Sequence, residues 1–590
     1  MKKLTKMITD VVREAFAKCG YSPEYGLVTL SDRPDLCQFQ CNGALAAARE
    51  YRKAPIVIAS EITNLLRTHP DFKEVSHVMP GFINITAEDH FVAGYIDSMS
   101  AADKFGCEEI GCNKTVIVDY GGPNVAKPLH VGHLRSAVIG ESIKRIGKFL
   151  GYNMLGDVHL GDWGLQIGLI IAGLKRRSPD LVYFDESYTG EYPTNAPFSI
   201  AELEEIYPAA SSLSRSDPEF MEEAKQATFL FQKGHRGYAA LWKHILNVSV
   251  EDLKKNYAAL NVHFDLWKKE SDVQPYIPEM IEDLKNKGLA YISDGALVVD
   301  VREASDTREI PPCILVKSDG ATLYSTTDLA TIIERMELFR PEEIIYIVDK
   351  RQELHFEQVF RCARKAKLVP PNTRLTFLGF GTMNGRDGRP FKTRDGGVMR
   401  LENLITEACD RVYKRVAGDR EIPEEEAREI AKKVGLAALK YSDLSNQISK
   451  DYVFDVDRFT SSEGNTGPYI LYTVVRIKSI LGRFSSGNPE YRAEAASVQS
   501  PGSESERNLM LKITQFNEVI ANSFADYSPH VICQFIFELS NELNRFYHEN
   551  RILSEQDPLK QGSWLKLITL TKDILTTCLD LLGIDVPDRM

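Results

Sequence analysis

The chain has 590 residues, 43% apolar and 26% charged, with a formal net charge of −12. A single core stops growing at roughly 250–300 residues, so about two to four domains are expected, and this balance excludes a largely disordered chain. The acidic total argues against a uniformly basic nucleic-acid coat and leaves room only for a local cationic face.

In chain order, residues 1–112 read as a small α/β module, with helical periodicity over 4–19, 43–51 and 54–66 and a short strand over 81–86. The lysine-led start is followed by polar residues every few positions rather than by a signal-peptide core. No run of about 18 apolar residues occurs anywhere, so a cytoplasmic protein without membrane contact is expected. The stretch KTVIVD (114–119) is a near-continuous apolar run that suits a strand buried on both faces, as in a parallel sheet. A helix is expected over 133–150, where Ile139, Ile143, Ile146 and Leu150 recur at steps of three and four and Gly151 stands at the C-cap. A strand over 153–158 then completes a βαβ unit.

From about 175 to 315 an insertion interrupts that pattern. It opens with a loop rich in Pro, Ser, Tyr and Glu over about 178–216, continues with amphipathic helices over 219–233 and 238–260, and includes a hairpin turning at Ser293-Asp294-Gly295. The sheet is expected to resume at 322–324 and 343–348. From about 425 onward the pattern is helical, divided by a Gly/Ser/Pro/Glu linker at 485–506. The expected division is therefore an N-terminal α/β domain (1–112), a Rossmann-like catalytic domain (113–400), a helical connector (401–460) and an all-helical C-terminal domain (461–590). The ten cysteines include no CxxC pair, the closest spacings being Cys37/Cys41 and Cys107/Cys112, so reduced thiols and no structural zinc are expected.

The most informative segment is DYGGPNVAKPLHVGHLR (119–135), between the buried strand and the start of a helix. Free N–H groups and the helix dipole make such a junction an anion site. Pro123 and Pro128 stiffen the approach, Gly132 leaves room for a ligand near the backbone, and His130 and His133 can donate to phosphate oxygens without burying a fixed charge. Two histidines three residues apart without nearby carboxylates make a poor metal site. No GxGxxG or GxxxxGK[ST] fingerprint is present, which removes the dinucleotide and Walker-type readings.

His130-Val-Gly-His133 resembles the HIGH signature of class I aminoacyl-tRNA synthetases, and the longer string PNVAKPLHVGHLR (123–135) resembles the arginyl-tRNA synthetases, bacterial type, in particular. LGDWG (160–164) is a second feature similar to that family. The resemblance implies a class I catalytic domain in which His130, Gly132 and His133 bind ATP and stabilise the transition state of adenylate formation. The basic, glycine-rich stretch GRDGRPFKTRDGG (385–397) stands where the family's KMSKS loop belongs, with Thr393 in the place of its second lysine. The resemblance assigns the missing charge to Lys127, with Lys392 and Arg394 assisting.

A guanidinium is planar, forked and always charged, so a pocket for it needs acidic partners. Asp119 ends a strand at the sheet's C-terminal edge, and TLYSTTDLA (322–330) spaces Tyr324 and Asp328 four residues apart, able to face one cleft if a helix begins near Thr327. By itself Asp328 also suits a helix N-terminus. The resemblance implies that Tyr324 and Asp328 hold the guanidinium with Asp119, that Asn124 and Gln352 meet the α-amino group, and that His130 lies near the α-carboxylate. It further implies arginine, ATP with Mg²⁺ and tRNA(Arg) as partners, bound tRNA being needed even for activation, in a monomer without an obligate protein partner. At the C-terminus, GNTGPYILYTVVRI (464–477), NELNRFYH (541–548) and GIDVPDRM (583–590) resemble the family's anticodon-binding helices. Tyr469, Tyr472, Arg476 and Arg545, beside Tyr547 and His548, are candidate RNA contacts by stacking and charge. QFQCNGA (38–44) partly matches the family's N-terminal domain, making Gln40 and Asn42 candidates for the tRNA elbow. A different class I synthetase, a catalytically silent relative and an RNA-free nucleotidyltransferase are the competing readings.

Overall fold

The computed structural model describes residues 1–33, 36–318, 320–389, 399–419, 422–488 and 496–590. Its centre is a five-stranded sheet in the spatial order Arg374–Phe380, Glu343–Asp349, Thr115–Tyr120, Asn153–Leu160, Leu266–Lys269. Every neighbouring pair is parallel. Val116, Ile117 and Val118 of the central strand are buried, as the unbroken apolar run predicts for a sheet covered on both faces. The chain leaves that strand toward one edge and returns on its other side. The order therefore reverses between Thr115–Tyr120 and Glu343–Asp349, and the crevice beyond the C-terminal ends of such strands is where open α/β sheets bind ligands.

Several expectations change. The helix after the central strand runs Val131–Phe149, two residues earlier than its apolar period indicates, because His130 is its N-cap. Residues 322–324 are not a sheet strand. Thr322 makes only an isolated bridge to Val316, and Tyr324 opens the helix Tyr324–Phe339. That start is held by side chains: Thr326 Oγ1 accepts the Leu323 N–H at 3.3 Å, and the hydroxyls of Ser325 and Thr326 donate to the carbonyls of Ile314 and Leu315. Finally, the stretch expected to be a loop over 178–216 contains the helix Ile200–Ser216, begun by a reciprocal cap between Ser199 and Glu202.

Elsewhere in the expected insertion the helices Pro218–Gln232 and Arg236–Ala259 and the hairpin Ala290–Ser293/Ala296–Val299 follow the pattern, but Leu266–Lys269 pairs in parallel with Asn153–Leu160, so the central sheet takes its edge strand from within 175–315 rather than resuming only after it. The N-terminal region is a four-stranded antiparallel sheet, ordered Val28–Leu30, Phe39–Cys41, Phe82–Ala87, Phe72–Val78, with helices packed against it. It rests on the C-terminal helices. Arg507 Nε donates to Asp89 at 2.5 Å, its Nη2 donates to the Ala87 carbonyl at 2.9 Å, and Lys566 pairs with Asp97 at 2.8 Å. The central sheet is tied to the helix Glu424–Leu444 through Val131–Phe149, where buried Arg135 donates to Asp443 at 3.0 Å.

Candidate active site

Beyond Tyr120 the chain turns across the top of the sheet and pairs with the segment 160–164. Val125 N–H donates to the Gly161 carbonyl at 3.1 Å, and Gly161 N–H to Pro123 at 3.2 Å. A Cβ on Gly161 would lie 2.1 Å from Asn124 Oδ1, so this glycine is what lets Asn124 come over the sheet edge. Asp162 is occupied structurally, accepting from the Ser271 N–H at 3.0 Å and the Ser271 hydroxyl at 2.7 Å. The LGDWG feature thus supports the signature turn from beneath.

The two imidazoles are locked by the backbone. Gly132 N–H donates to His130 Nδ1 at 3.1 Å, and His130 N–H donates to His133 Nδ1 at 3.1 Å. Each Nδ1 is an acceptor, so in the neutral rings the proton sits on Nε2. A Cβ at position 132 would come within 2.8 Å of His130 Cε1, so Gly132 makes room for the ring as well as for a ligand. Burial, followed by the charge of Lys127, lowers the His130 pKa. Burial, followed by His130, lowers that of His133 to about 3. At neutral pH the helix start presents two uncharged N–H donors, the form suited to phosphate oxygens.

Both rings line a cavity of about 630 Å³ that also contains Asp119, Asn124, Gly132, Glu270, Tyr324, Asp328, Gln352 and His355. The structure thereby brings together all the residues whose assignment to arginine was expected. Tyr324 is 67% exposed at the rim, one helical turn from Asp328. Lys127 stands to the side, its Nζ 4.8 Å from the centroid of the Tyr207 ring. Lys392 and Arg394 lie outside the described residues. The segment just after them is stitched to the signature, with Val131 N–H donating to Met399 at 3.1 Å and Leu401 N–H to Leu129 at 2.9 Å.

Four ionisable residues in and behind the cavity were not legible as such. Arg335, 1% exposed, donates through Nη2 to Asp119 at 2.5 Å and to Asp157 at 2.7 Å. Its spacing of seven from Asp328 on one helix was a usable signal, a cation aligned with a carboxylate on one face. Burial raises the Asp157 pKa against the pull of Arg335. His355 Nε2 lies 2.6 Å from Asp328 Oδ2 and braces that carboxylate. Glu270 follows the short Leu266–Lys269 strand, and burial, then Asp162 and Asp328, push its carboxyl up to about 7. Asp119 is thus shared with an internal cation, whereas Asp328 and Glu270 form the acidic wall open to a ligand.

The RNA-contact candidates fall in two places, an N-terminal pair and a group shared by two C-terminal helices. Gln40 Nε2 donates to Asn84 at 3.0 Å, and Asn42 is exposed before the helix Gly43–Tyr51. Tyr469 bonds across to the next long helix, donating to Asn541 at 2.7 Å and accepting from Asn544 at 2.8 Å. Arg476 donates to Asn544 at 2.8 Å and lies 4.7 Å from the Tyr472 ring and 5.9 Å from that of Tyr547. Arg545 is exposed beside Glu542 at 3.3 Å.

A parallel sheet with this reversal, imidazoles capping the helix beside it and a helical domain downstream define a class I aminoacyl-tRNA synthetase. Comparison agrees: a family model described as "tRNA synthetases class I (R), catalytic domain" matches residues 96–456, flanked by an "Arginyl tRNA synthetase N terminal domain" over 2–87 and a "DALR anticodon binding domain" over 470–590. The chain belongs to the arginyl-tRNA synthetase family. It is 58% identical to an arginine–tRNA ligase of Alkaliphilus oremlandii over 100% of both chains, and 57% identical to one of Agathobacter rectalis over 100% of both. Among solved structures, the arginyl-tRNA synthetase of Plasmodium falciparum matches with a TM-score of 0.83 at 25% identity, covering 100% of each chain. That of Thermus thermophilus shares the fold, with a TM-score of 0.76 over 100% of each chain at 21% identity.

Proposed function

We propose that the cavity between the signature helix and the helix Tyr324–Phe339 is where this arginine–tRNA ligase forms arginyl-adenylate and hands the arginyl group to tRNA(Arg). The observation that carries the reading is one cavity shared by two neutral Nε2–H donors and two ligand-facing carboxylates. ATP lies with its phosphates against His130, Gly132 and His133, and Lys127 supplies a fixed positive charge beside them. Mg²⁺ held on the triphosphate would add to this charge neutralisation, being an ion usually bound through substrate phosphates and few protein groups. Lys392 and Arg394 assist from the segment 385–397.

The arginine guanidinium enters between Asp328 and Glu270 under the Tyr324 ring, where two carboxylates match a forked cation. Asn124 and Gln352 orient the α-amino group. The arginine carboxylate oxygen then attacks the α-phosphorus, the bond to the β-phosphate bridging oxygen breaks, and pyrophosphate leaves. Catalysis consists of alignment and charge neutralisation, with no covalent enzyme intermediate. A hydroxyl of the tRNA 3′-terminal ribose next attacks the mixed anhydride, releasing AMP. Tyr472, Arg476 and Arg545 contact the anticodon end, Tyr469 supports them from the helix interface, and Gln40 and Asn42 face the elbow. The same reading divides the chain near residues 112, 400 and 460 and makes it a cytoplasmic monomer.

The test is ATP–pyrophosphate exchange with each amino acid, with and without tRNA. Exchange confined to arginine plus tRNA is expected. Exchange with another amino acid, or none in any condition, overturns the assignment of this cavity.

A further inference from the structure

The helix Ile200–Ser216 lies in the part of the insertion that no motif explains, yet two of its residues, one turn apart, reach the phosphate-handling segments. The Lys127 ammonium stands 4.8 Å from the centroid of the Tyr207 ring. Glu204 Oε2 is 2.7 Å from Arg400 Nη1, and Arg400 forms an antiparallel bridge with His130. Residues three apart on a helix share a face, so one face of this helix grips both sides of the signature. The Tyr207 ring is itself half-buried, packed against two separate clusters of the core.

Among the described residues Lys127 makes no ion pair. The difference matters chemically. A carboxylate partner would cancel the charge that the triphosphate needs, whereas an aromatic face holds an ammonium through the ring quadrupole and leaves its net charge intact. We propose that Tyr207 is the positioning residue for Lys127: its ring fixes the ammonium beside the signature turn with its charge free for ATP, while the Glu204–Arg400 pair anchors the same helix to the residues that follow 385–397. This rests on Lys127 acting on the ATP phosphates, so its test contains a separate arm for that assignment.

The experiment is ATP–pyrophosphate exchange in the presence of tRNA, with ATP and arginine varied independently, on Tyr207→Leu, Tyr207→Phe, Lys127→Met and the Lys127→Met/Tyr207→Leu double variant of the full chain. Tyr207→Leu is expected to raise the KM for ATP roughly three- to tenfold while leaving the KM for arginine within about twofold, and Tyr207→Phe, which keeps the ring, to restore the parent value within about twofold. In the Lys127→Met background, Tyr207→Leu is expected to have no further effect on ATP. If Lys127→Met impairs ATP use but Tyr207→Leu does not, the proposal falls and the Lys127 assignment stands. If Lys127→Met leaves ATP use unchanged, that assignment falls and the proposal with it. Equal rises in both KM values, or added loss in the double variant, mark Tyr207 as merely structural and overturn the proposal. Should Tyr207→Leu not fold, Tyr207→Met makes the same comparison.

Discussion

Arg335 donates to Asp119 at 2.5 Å while its other contact, Asp157, lies at 2.7 Å, so the carboxylate that ends the central strand is engaged inside the protein before any ligand arrives. Arg335 and Asp157 are both buried, which makes the arrangement a charged core element feeding one arm into the cavity. Removing a buried cation from two carboxylates leaves them unpaired in a low-dielectric interior. Arg335→Leu should therefore destabilise the fold by about 3–5 kcal/mol, read as a lower urea midpoint. Asp119→Asn should weaken arginine less than Asp328→Asn does. Equal stability of Arg335→Leu and the parent rules out this account.

Asp328 is the carboxylate most available to a guanidinium, held in place by His355 at 2.6 Å. Removing one charge from a charge-assisted, forked contact costs about 1.5–3 kcal/mol. Asp328→Asn should raise the KM for arginine roughly 10–150-fold and leave that for ATP nearly unchanged. An unaltered arginine KM in steady-state exchange ends its assigned role.

Glu270 should impose a pH dependence on arginine binding. Its carboxyl is pushed up to about 7 by burial and by Asp162 and Asp328. Above that pH it is ionised and attracts the guanidinium, whose own charge does not change. Below it the carboxyl is protonated in the free enzyme and the attraction is lost. The KM for arginine should rise as pH falls from 8 to 6, and Glu270→Gln should flatten the curve while raising the value at pH 8. A Glu270→Gln profile parallel to that of the parent chain contradicts the prediction.

His133 carries a stability signature of opposite origin. Its pKa is lowered to about 3 in the fold, from the ordinary imidazole value of 6.5. Above pH 6.5 neither state is protonated and the group contributes no pH dependence. As pH falls below that, the unfolded chain takes up the proton and the folded one does not, so folding loses stability. The urea midpoint should fall less between pH 7.5 and 5.5 in His133→Gln than in the parent. The same variant should lose roughly 10²–10³-fold in kcat, if Nε2–H donates to the reacting phosphate. A midpoint that falls equally in both proteins, or an undiminished kcat, counts against this assignment.

What the sequence determined by itself was local and periodic. The apolar run at 114–119, the three-and-four spacing of Ile139, Ile143 and Ile146, and the Ser293-Asp294-Gly295 turn each encode an element through its own repeat or turn chemistry. The string 119–135 likewise carried the family and the paired imidazoles, because a strand-to-helix turn keeps its working residues contiguous. The helix Ile200–Ser216 escaped that reading although Ser199 and Glu202 spell its cap, since Pro208 sits mid-helix and weakens the periodic signal. Tertiary structure alone decided the charges. Arg335 meets Asp119 across 216 residues of chain, and His355 meets Asp328 across 27. Glu270 was brought to the cavity by a four-residue edge strand too short to announce itself. Periodicity is a property of neighbours along the chain, but which carboxylate is neutralised and which is left for a ligand depends on distances through space, and those exist only after the sheet has closed its order.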